Sequence, residues 1–369
     1  MNRRWTPEEA WEWWDKKEWI MGLNYVPSCM PGYSIWQEDT QEEAMKVVLP
    51  ELDLMQEIGF NSVRMFFPMS WYVLDGDAYL DKIDELMGEL KKRGIGIMPV
   101  LGNDCLPFGR PADPSFKRPV GPEKFDLGYH SGHAVSPFTG EKERVGWTYW
   151  DEEEYRGLCI DWFNAMFRRF AKDPRVDIWD VWNEPGNSNR HGMSIPYLKK
   201  AFEIGRSYDP DAPLTAGCWD YPEGYGVDLT KQIQEIERVA IDLSDIISFH
   251  QYSNFTNVQN TIKMLERENR PMANTEWLHR IFDNFIQDQL PLYYEKKIGS
   301  YHWGLVAGNS QHFLPWEDIR GNHNLDYTRW QHDIIRHDGK TPYDPEEIEL
   351  FKKYGAAKDK AGNGPQARP

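Results

Sequence analysis

Apolar residues along the chain follow two alternating patterns. Short, nearly continuous apolar runs read as strands buried on both faces. Between them, apolar residues recur at intervals of three and four, the spacing of a helix with one buried face. The clearest helix puts Leu80, Ile83, Leu86 and Leu90 on one side, spans 79–93 and closes on Gly94. The strands predicted in this way are 19–26, 60–67, 95–101, 176–183, 213–216, 246–249, 272–275 and 300–305. Helices are predicted over 79–93, 155–170, 195–208, 230–240, 257–268 and 281–294, with a last one over 345–354. The helix after the first strand is placed from 49 or 50 to 58, because Pro50 interrupts the apolar spacing and Gly59 stops it. Ahead of all of these, Thr6-Pro7-Glu8-Glu9 has the form of a capping box, and the Trp-rich helix over 10–17 is predicted to plug the closed end of a barrel.

Strand and helix alternate eight times, which implies a parallel sheet closed into a (β/α)8 TIM barrel. Two connections are far longer than a structural link requires, 102–150 after the third strand and 308–343 after the eighth. The whole of 1–354 reads as a single barrel domain. The remainder, 355–369, is rich in Gly, Ala, Lys and Pro without periodicity and is expected to be a disordered tail.

Composition narrows the function classes. With 369 residues, 40% of them hydrophobic, the chain can bury a large core. A net charge of −17 leaves no basic face for phosphates, so nucleic acid and anionic membranes are excluded as partners. No run of ~18 apolar residues predicts a membrane span. The N-terminal residues lack the apolar stretch of a signal peptide, so the expected location is cytoplasmic. Cys29, Cys105, Cys159 and Cys218 form no C-x-x-C pair, and are expected as reduced thiols rather than zinc ligands. The Gly-rich segments lack the context of a phosphate loop, and no cofactor is predicted. The 17 Trp residues suit sugar faces as well as cores.

Candidate chemistry sits at two strand ends. The run Ile178-Trp-Asp-Val-Trp ends in Asn183, Glu184 and Pro185, and a proline there stops the ladder, leaving both polar side chains at the carboxyl edge. Glu276 closes a second short apolar run in the same manner. Two carboxyls facing one pocket suit glycoside hydrolysis, in which one protonates the leaving oxygen and the other serves the anomeric carbon. Arg64 is the one charge in its strand and requires a buried carboxylate partner. His130 and His133 resemble a metal pair, but no Cys, Asp or Glu set stands beside them, so a substrate-lining loop is expected and no metal.

Taken together, Trp182-Asn183-Glu184-Pro185, Thr275-Glu276-Trp277, Arg64 on strand two and Phe249-His250-Gln251-Tyr252 resemble glycoside hydrolase clan A, family 5 above all. The likeness covers roughly 19–316. It implies Glu184 as acid/base and Glu276 as nucleophile. It also implies Arg64 and Tyr252 against the nucleophile, Asn183 on the sugar 2-hydroxyl, His250 beside them, and Trp303 as the floor of the glycone subsite. The chain departs from the family after strand three, where a histidine is usual and Gly102-Asn103-Asp104 stands instead. Asn103 and Asp104 are taken as substitute sugar contacts. Arg64 also fits a purely structural ion pair, Trp303 plain core and His250 a core histidine.

The resemblance implies a retaining β-glycosidase for short β-linked oligosaccharides, exo-acting, with β-mannosides first among substrates. An endo-β-1,4-glucanase or xylanase is the alternative. A noncatalytic carbohydrate-binding barrel is a further one, disfavoured because binding alone gains nothing from paired acids of tuned pKa. Oligomeric state is not legible.

Overall fold

The computed structural model describes residues 3–30, 32–119, 121, 144–220, 233–316 and 324–362. Eight parallel strands close into a barrel in sequence order: β1 (Met21–Asn24), β2 (Ser62–Phe66), β3 (Gly96–Val100), β4 (Trp179–Asn183), β5 (Leu214–Cys218), β6 (Ile247–His250), β7 (Met272–Trp277) and β8 (Gly299–Trp303). Helices α1 (Pro7–Asp15), α2 (Glu38–Ile58), α3 (Met69–Asp75), α4 (Asp77–Lys92), α5 (Glu153–Phe170), α6 (Ile195–Ser207), α7 (Glu235–Leu243), α8 (Phe255–Leu265), α9 (Ile286–Glu295) and α10 (Pro345–Gly355) accompany them. The barrel is thus the one expected.

The core has two parts. The larger lies between the outer face of the sheet and the helices, where Trp162, Phe163, Phe167, Trp179 and Trp182 are all buried. The smaller fills the amino-terminal end of the barrel: Ile20, Met98, Ile178, Ile246, Ala273 and Tyr301 meet there, and Trp14 of α1 seals them. Gly22 makes room for this layer, since a Cβ on it would lie 2.6 Å from the Tyr301 ring.

Helix α1 does more than plug. The Trp11, Trp13 and Trp14 indoles donate to the carbonyls of Asn269, Asp211 and Lys297 at 3.1, 3.1 and 3.0 Å. Arg4 donates to Ser244 O and Ile241 O at 2.7 and 2.8 Å. These carbonyls lie just ahead of β5, β6, β7 and β8, so one short segment ties four consecutive strand entrances.

Helix α2 corrects the predicted start at 49 or 50. It begins at Glu38 and runs through Pro50, because Ala44 and Val48 before the proline, and Leu52, Met55 and Ile58 after it, are all buried. Burial of that stripe on both sides offsets the hydrogen bond that proline removes, a loss of ~3 kcal/mol. The tail is also shorter than expected. Residues 355–362 pack: Lys358 O accepts from Trp19 N at 3.2 Å, Lys358 Nζ donates to Gly59 O at 2.8 Å, and Ala361 is buried. Gly355 lies against Gly59, a contact that only side chains this small permit. The rest of the predicted tail, 363–369, lies outside the described residues.

Glu237 on α7 holds the chain leaving β5, its Oε1 accepting N–H bonds from Trp219 and Asp220 at 3.2 and 3.1 Å. Burial pushes its carboxyl from 4.5 up to about 7 against those bonds. The unfolded carboxyl ionises near 4.5, so between there and about 7 the native state holds a proton that the unfolded state has lost. Its contribution therefore falls as pH rises through that window, by up to ~1.4 kcal/mol per pH unit. Denaturant unfolding from pH 5 to 7.5 should show a shallower loss of stability in Glu237→Gln than in the parent chain, and equal slopes would refute this origin.

Candidate active site

Extra residues at the ends of two strands decide which side chains share the pocket. In β4, Asp180 pairs with Thr215 and Trp182 with Ala216, so Val181 is surplus. In β7, Phe249 faces Asn274 and His250 faces Glu276, leaving Thr275 surplus. Side chains alternate with period two along a regular strand, so Asp180 and Asn183 would point to opposite faces. A bulge resets the alternation. Both residues then reach Arg64, and Glu276 comes beside His250.

Arg64, fully buried on β2, is the hub. Its Nε and Nη2 donate to Asp180 Oδ2 at 2.9 and 2.7 Å, and Nη2 also donates to Asn183 Oδ1 at 2.6 Å. Nη1 donates to Asn24 Oδ1 and to Glu276 Oε1, both at 2.7 Å. The carboxylate partner required by the sequence is therefore two carboxylates, and Arg64 touches the pocket rather than serving the core alone. Asn24 is fixed in turn by donating to Thr275 O at 2.7 Å.

Glu276 is buried, and burial alone would push its carboxyl up. His250, Arg64, the Tyr252 phenol and Trp303 outweigh it and hold Glu276 below the usual carboxylate range. Tyr252 donates to its Oε2 at 2.6 Å. Burial and the neighbouring Glu276 push the phenol itself well up, so it stays a donor.

Glu184 has one oxygen on each side engaged. Oε1 lies 2.9 Å from His250 Nδ1, which is also 3.4 Å from Glu276 Oε2. Oε2 accepts from Asn187 Nδ2 at 2.5 Å. Its backbone is left-handed, with φ of 46°, a conformation that costs a non-glycine residue about 1–3 kcal/mol and is held here by a bond from its N–H to Gly217 O at 3.1 Å. Gly217 is obligatory for another reason: a Cβ there would lie 2.6 Å from His250 Nε2.

Trp303 ends β8 and is only half-buried. It stacks with His332 and Phe66 at centroid distances of 6.2 and 6.3 Å, and His312 meets it edge-on at 5.0 Å. Trp316 meets Tyr252 edge-on at 5.0 Å. The described part of the loop after β8 therefore stands over Trp303 and Tyr252.

Asp104 lies too deep for the sugar contact expected of it, whereas Asn103 is half-buried. Asn103 Oδ1 accepts from Asn183 Nδ2 and from Cys105 N, both at 2.9 Å, while its Nδ2 donates to Cys105 O at 3.0 Å. Asp104 is fully buried, accepts from Gly186 N at 2.7 Å and lies 3.3 Å from Arg190. Both support the turn that carries Glu184. Cys105 follows, its thiol pushed well up by burial and by the nearby Glu184 and Glu276. The sequence reading missed Asn24, Asp180, Cys105 and Asn187. Asp180 carried the signal that singled out Arg64, a charge within an apolar run; Asn187 carried none. His130 and His133 lie outside the described residues.

One donor atom each from Glu184, His250 and Glu276 lie within 4.8 Å of one another, which also suits a cation. Arg64 already supplies positive charge to Glu276 at 2.7 Å, so two carboxyls, a histidine and a guanidinium form a complete acid–base set. Among the described residues no helix is long and apolar enough to cross a membrane.

Comparison with known proteins agrees with the barrel fold. No curated protein matches the chain. Among solved structures, an endo-β-1,4-mannanase from Thermotoga petrophila superposes with a TM-score of 0.56 at 14% identity, over 96% of this chain and 80% of that one. The exo-β-1,4-mannosidase Op5Man5 from Opitutaceae bacterium strain TAV5 gives 0.55 at 15%, over 92% and 59%. A family 5 mannosidase from Rhizomucor miehei gives 0.53 at 13%, over 92% of each. At such identities the likeness is one of fold. A family model described as cellulase (glycosyl hydrolase family 5) matches residues 21–333, from the first strand to beyond the eighth, and the chain belongs to that family of glycoside hydrolases.

Proposed function

We propose that the chain is a retaining, exo-acting β-glycosidase that releases single sugars from short β-linked oligosaccharides, with Glu184 as acid/base and Glu276 as nucleophile. The observation that carries this reading is the contrast between the two carboxyls. Glu276 has Arg64 and Tyr252 donating to it at 2.7 and 2.6 Å, an environment for a permanent anion. Among the described residues no guanidinium is bonded to Glu184. One oxygen of each lies within 4.8 Å of one of the other, an approach that fits the close carboxyl pair of retaining enzymes, ~5–5.5 Å apart.

The steps follow from those environments. Glu184 gives its proton to the glycosidic oxygen as Glu276 attacks the anomeric carbon, and the leaving group departs. Glu184, now ionised, takes a proton from water, which displaces Glu276 and releases the sugar with its configuration kept. Asn183, oriented by Arg64 and Asn103, is placed for the sugar 2-hydroxyl, and Trp303 for the ring face.

Exo action is supported by the wall beside Trp303. Asn309 N donates to Ser28 O at 2.7 Å and its side chain to Cys29 O at 3.0 Å, joining the loops after β1 and β8 into one barrier. The β-mannoside assignment rests on the Thr275-Glu276-Trp277 strand end with its long loops, and on the mannan-directed neighbours. The deciding experiment is a panel of aryl β-glycosides and matched oligosaccharides, with products followed in time and anomeric configuration read by NMR. Release of β-mannose alone is expected. Shorter oligomers without monosaccharide would replace the exo reading with an endo-glucanase or xylanase, and inversion would refute the mechanism.

A further inference from the structure

The end of β3 meets the turn after β4 almost residue for residue. Asn103 accepts from Asn183, and Asp104 from Gly186 N. Leu106 N donates to Ser188 Oγ at 2.9 Å and Ser188 Oγ returns a bond to Leu106 O at 2.8 Å. Gly146 N donates to Ser188 O at 2.8 Å. Fully buried Arg190 closes the far end, donating to Gly146 O at 2.6 Å, Ser194 Oγ at 2.9 Å and Asp151 at 2.9 and 2.8 Å. Within this clamp Glu184, Gly186, Ser188 and Asn189 all have positive φ, 46°, 86°, 51° and 62°. So unusual a backbone requires that many anchors, and it presents one side chain to the Glu184 carboxyl: Asn187.

The orientation of the Asn187 amide is determined by its partners. Its Oδ1 accepts the Ser188 N–H, so Nδ2 is the atom facing Glu184 Oε2 at 2.5 Å. The double-bonded oxygen of a carboxylic acid accepts hydrogen bonds better than its hydroxyl oxygen. An N–H fixed on Oε2 therefore favours the acid proton on Oε1 when His250 Nδ1, 2.9 Å from Oε1 on the side towards Glu276, is the unprotonated, accepting nitrogen of its ring.

We infer that Asn187 is the positioning residue of the acid/base, fixing Oε1 of Glu184 as the oxygen that gives and takes the proton. The inference rests on the proposed role of Glu184. In the first step the Oε1–H bond breaks as the glycosidic oxygen takes the proton, the bond from that oxygen to the anomeric carbon breaks, and the bond to Glu276 forms. In the second, Oε1 takes a proton from water as the water oxygen displaces Glu276. The groups that bear on Glu184 from other elements are His250 on β6, Tyr252 after it, Glu276 on β7 and Cys105 after β3. Substitution at 187 changes none of them.

The test is the pH profile of kcat/KM for Asn187→Ala and Asn187→Asp, each measured with an oligosaccharide and with a dinitrophenyl glycoside. Loss of the N–H removes a donor that favours ionised Glu184. The alkaline limb of the profile then moves up by roughly half to one unit, further in Asn187→Asp, where a like charge replaces the donor. The rate loss should be at least tenfold larger on the oligosaccharide, whose leaving group requires a proton. An unmoved limb in both variants, or equal losses on both substrates, overturns the inference. Asn187→Asp keeps the acceptor for Ser188 N–H, so it reports even if Asn187→Ala does not fold. Glu184→Gln, assayed alongside, separates the two failures. Full activity there sinks the role of Glu184 itself, whereas its inactivity with unmoved limbs at 187 sinks only the positioning role.

Discussion

Glu276→Ala should lower kcat/KM by roughly 10⁴- to 10⁶-fold on every substrate, because it removes the carboxylate proposed to form the covalent bond. Glu184→Ala should behave differently, losing roughly 10²- to 10⁴-fold on oligosaccharides but far less on dinitrophenyl glycosides, whose leaving groups depart without a proton. Added azide distinguishes the two chemically. In Glu184→Ala it attacks the glycosyl-enzyme and yields the β-glycosyl azide; in Glu276→Ala it occupies the vacated space and yields the α-anomer. Product stereochemistry by NMR reads the outcome, and the same anomer from both variants would overturn the assignment of roles.

Arg64→Met has the second largest expected effect, and it falls on folding as well as turnover. Arg64 is the guanidinium that Asp180 and Glu276 share, at 2.7 Å from each, and all three are buried. Burial already pushes Asp180 up, with Arg64 the chief opposing charge. Removing the guanidinium strands two carboxylates and the Asn24 and Asn183 oxygens, at a cost of about 3–5 kcal/mol. Chemical denaturation should show that loss at pH 7 and a smaller one near pH 4, where the stranded carboxyls take up protons. A loss independent of pH would mean that Arg64 contributes packing and not charge. Adding Asp180→Asn should recover part of the stability without recovering activity, because Glu276 would still lack the guanidinium that donates to its Oε1.

The strand order and the two acids were legible because they follow from burial. A strand covered on both faces has to be apolar, so Arg64, Glu184 and Glu276 stood out as exceptions. What stayed illegible is geometry that composition does not encode. A one-residue bulge reverses which side chains point inward, and nothing in Trp179-Asp180-Val181-Trp182 marks Val181 as surplus. Pro50 misled in the opposite direction, since local chemistry says stop while a buried stripe says continue. Asp104 was read as a sugar contact because it stands after strand three where the family usually has a histidine; its actual partners, Gly186 and Arg190, are more than eighty residues away. Asn187 is a common loop residue in a common loop context, and only the folded turn shows what it touches.

The tie between α1 and the strand entrances sets a schedule for synthesis. Trp11, Trp13 and Trp14 bond to residues 258, 198 and 283 positions downstream. At a synthesis rate of about 5–20 residues per second, the carbonyl of Lys297 appears roughly 15–60 s after Trp14. For most of that interval the indoles wait for their partners, Asp211 first and Lys297 last, while the first half of the barrel presents open strand edges. The amino-terminal segment, first to be made, is therefore among the last to dock.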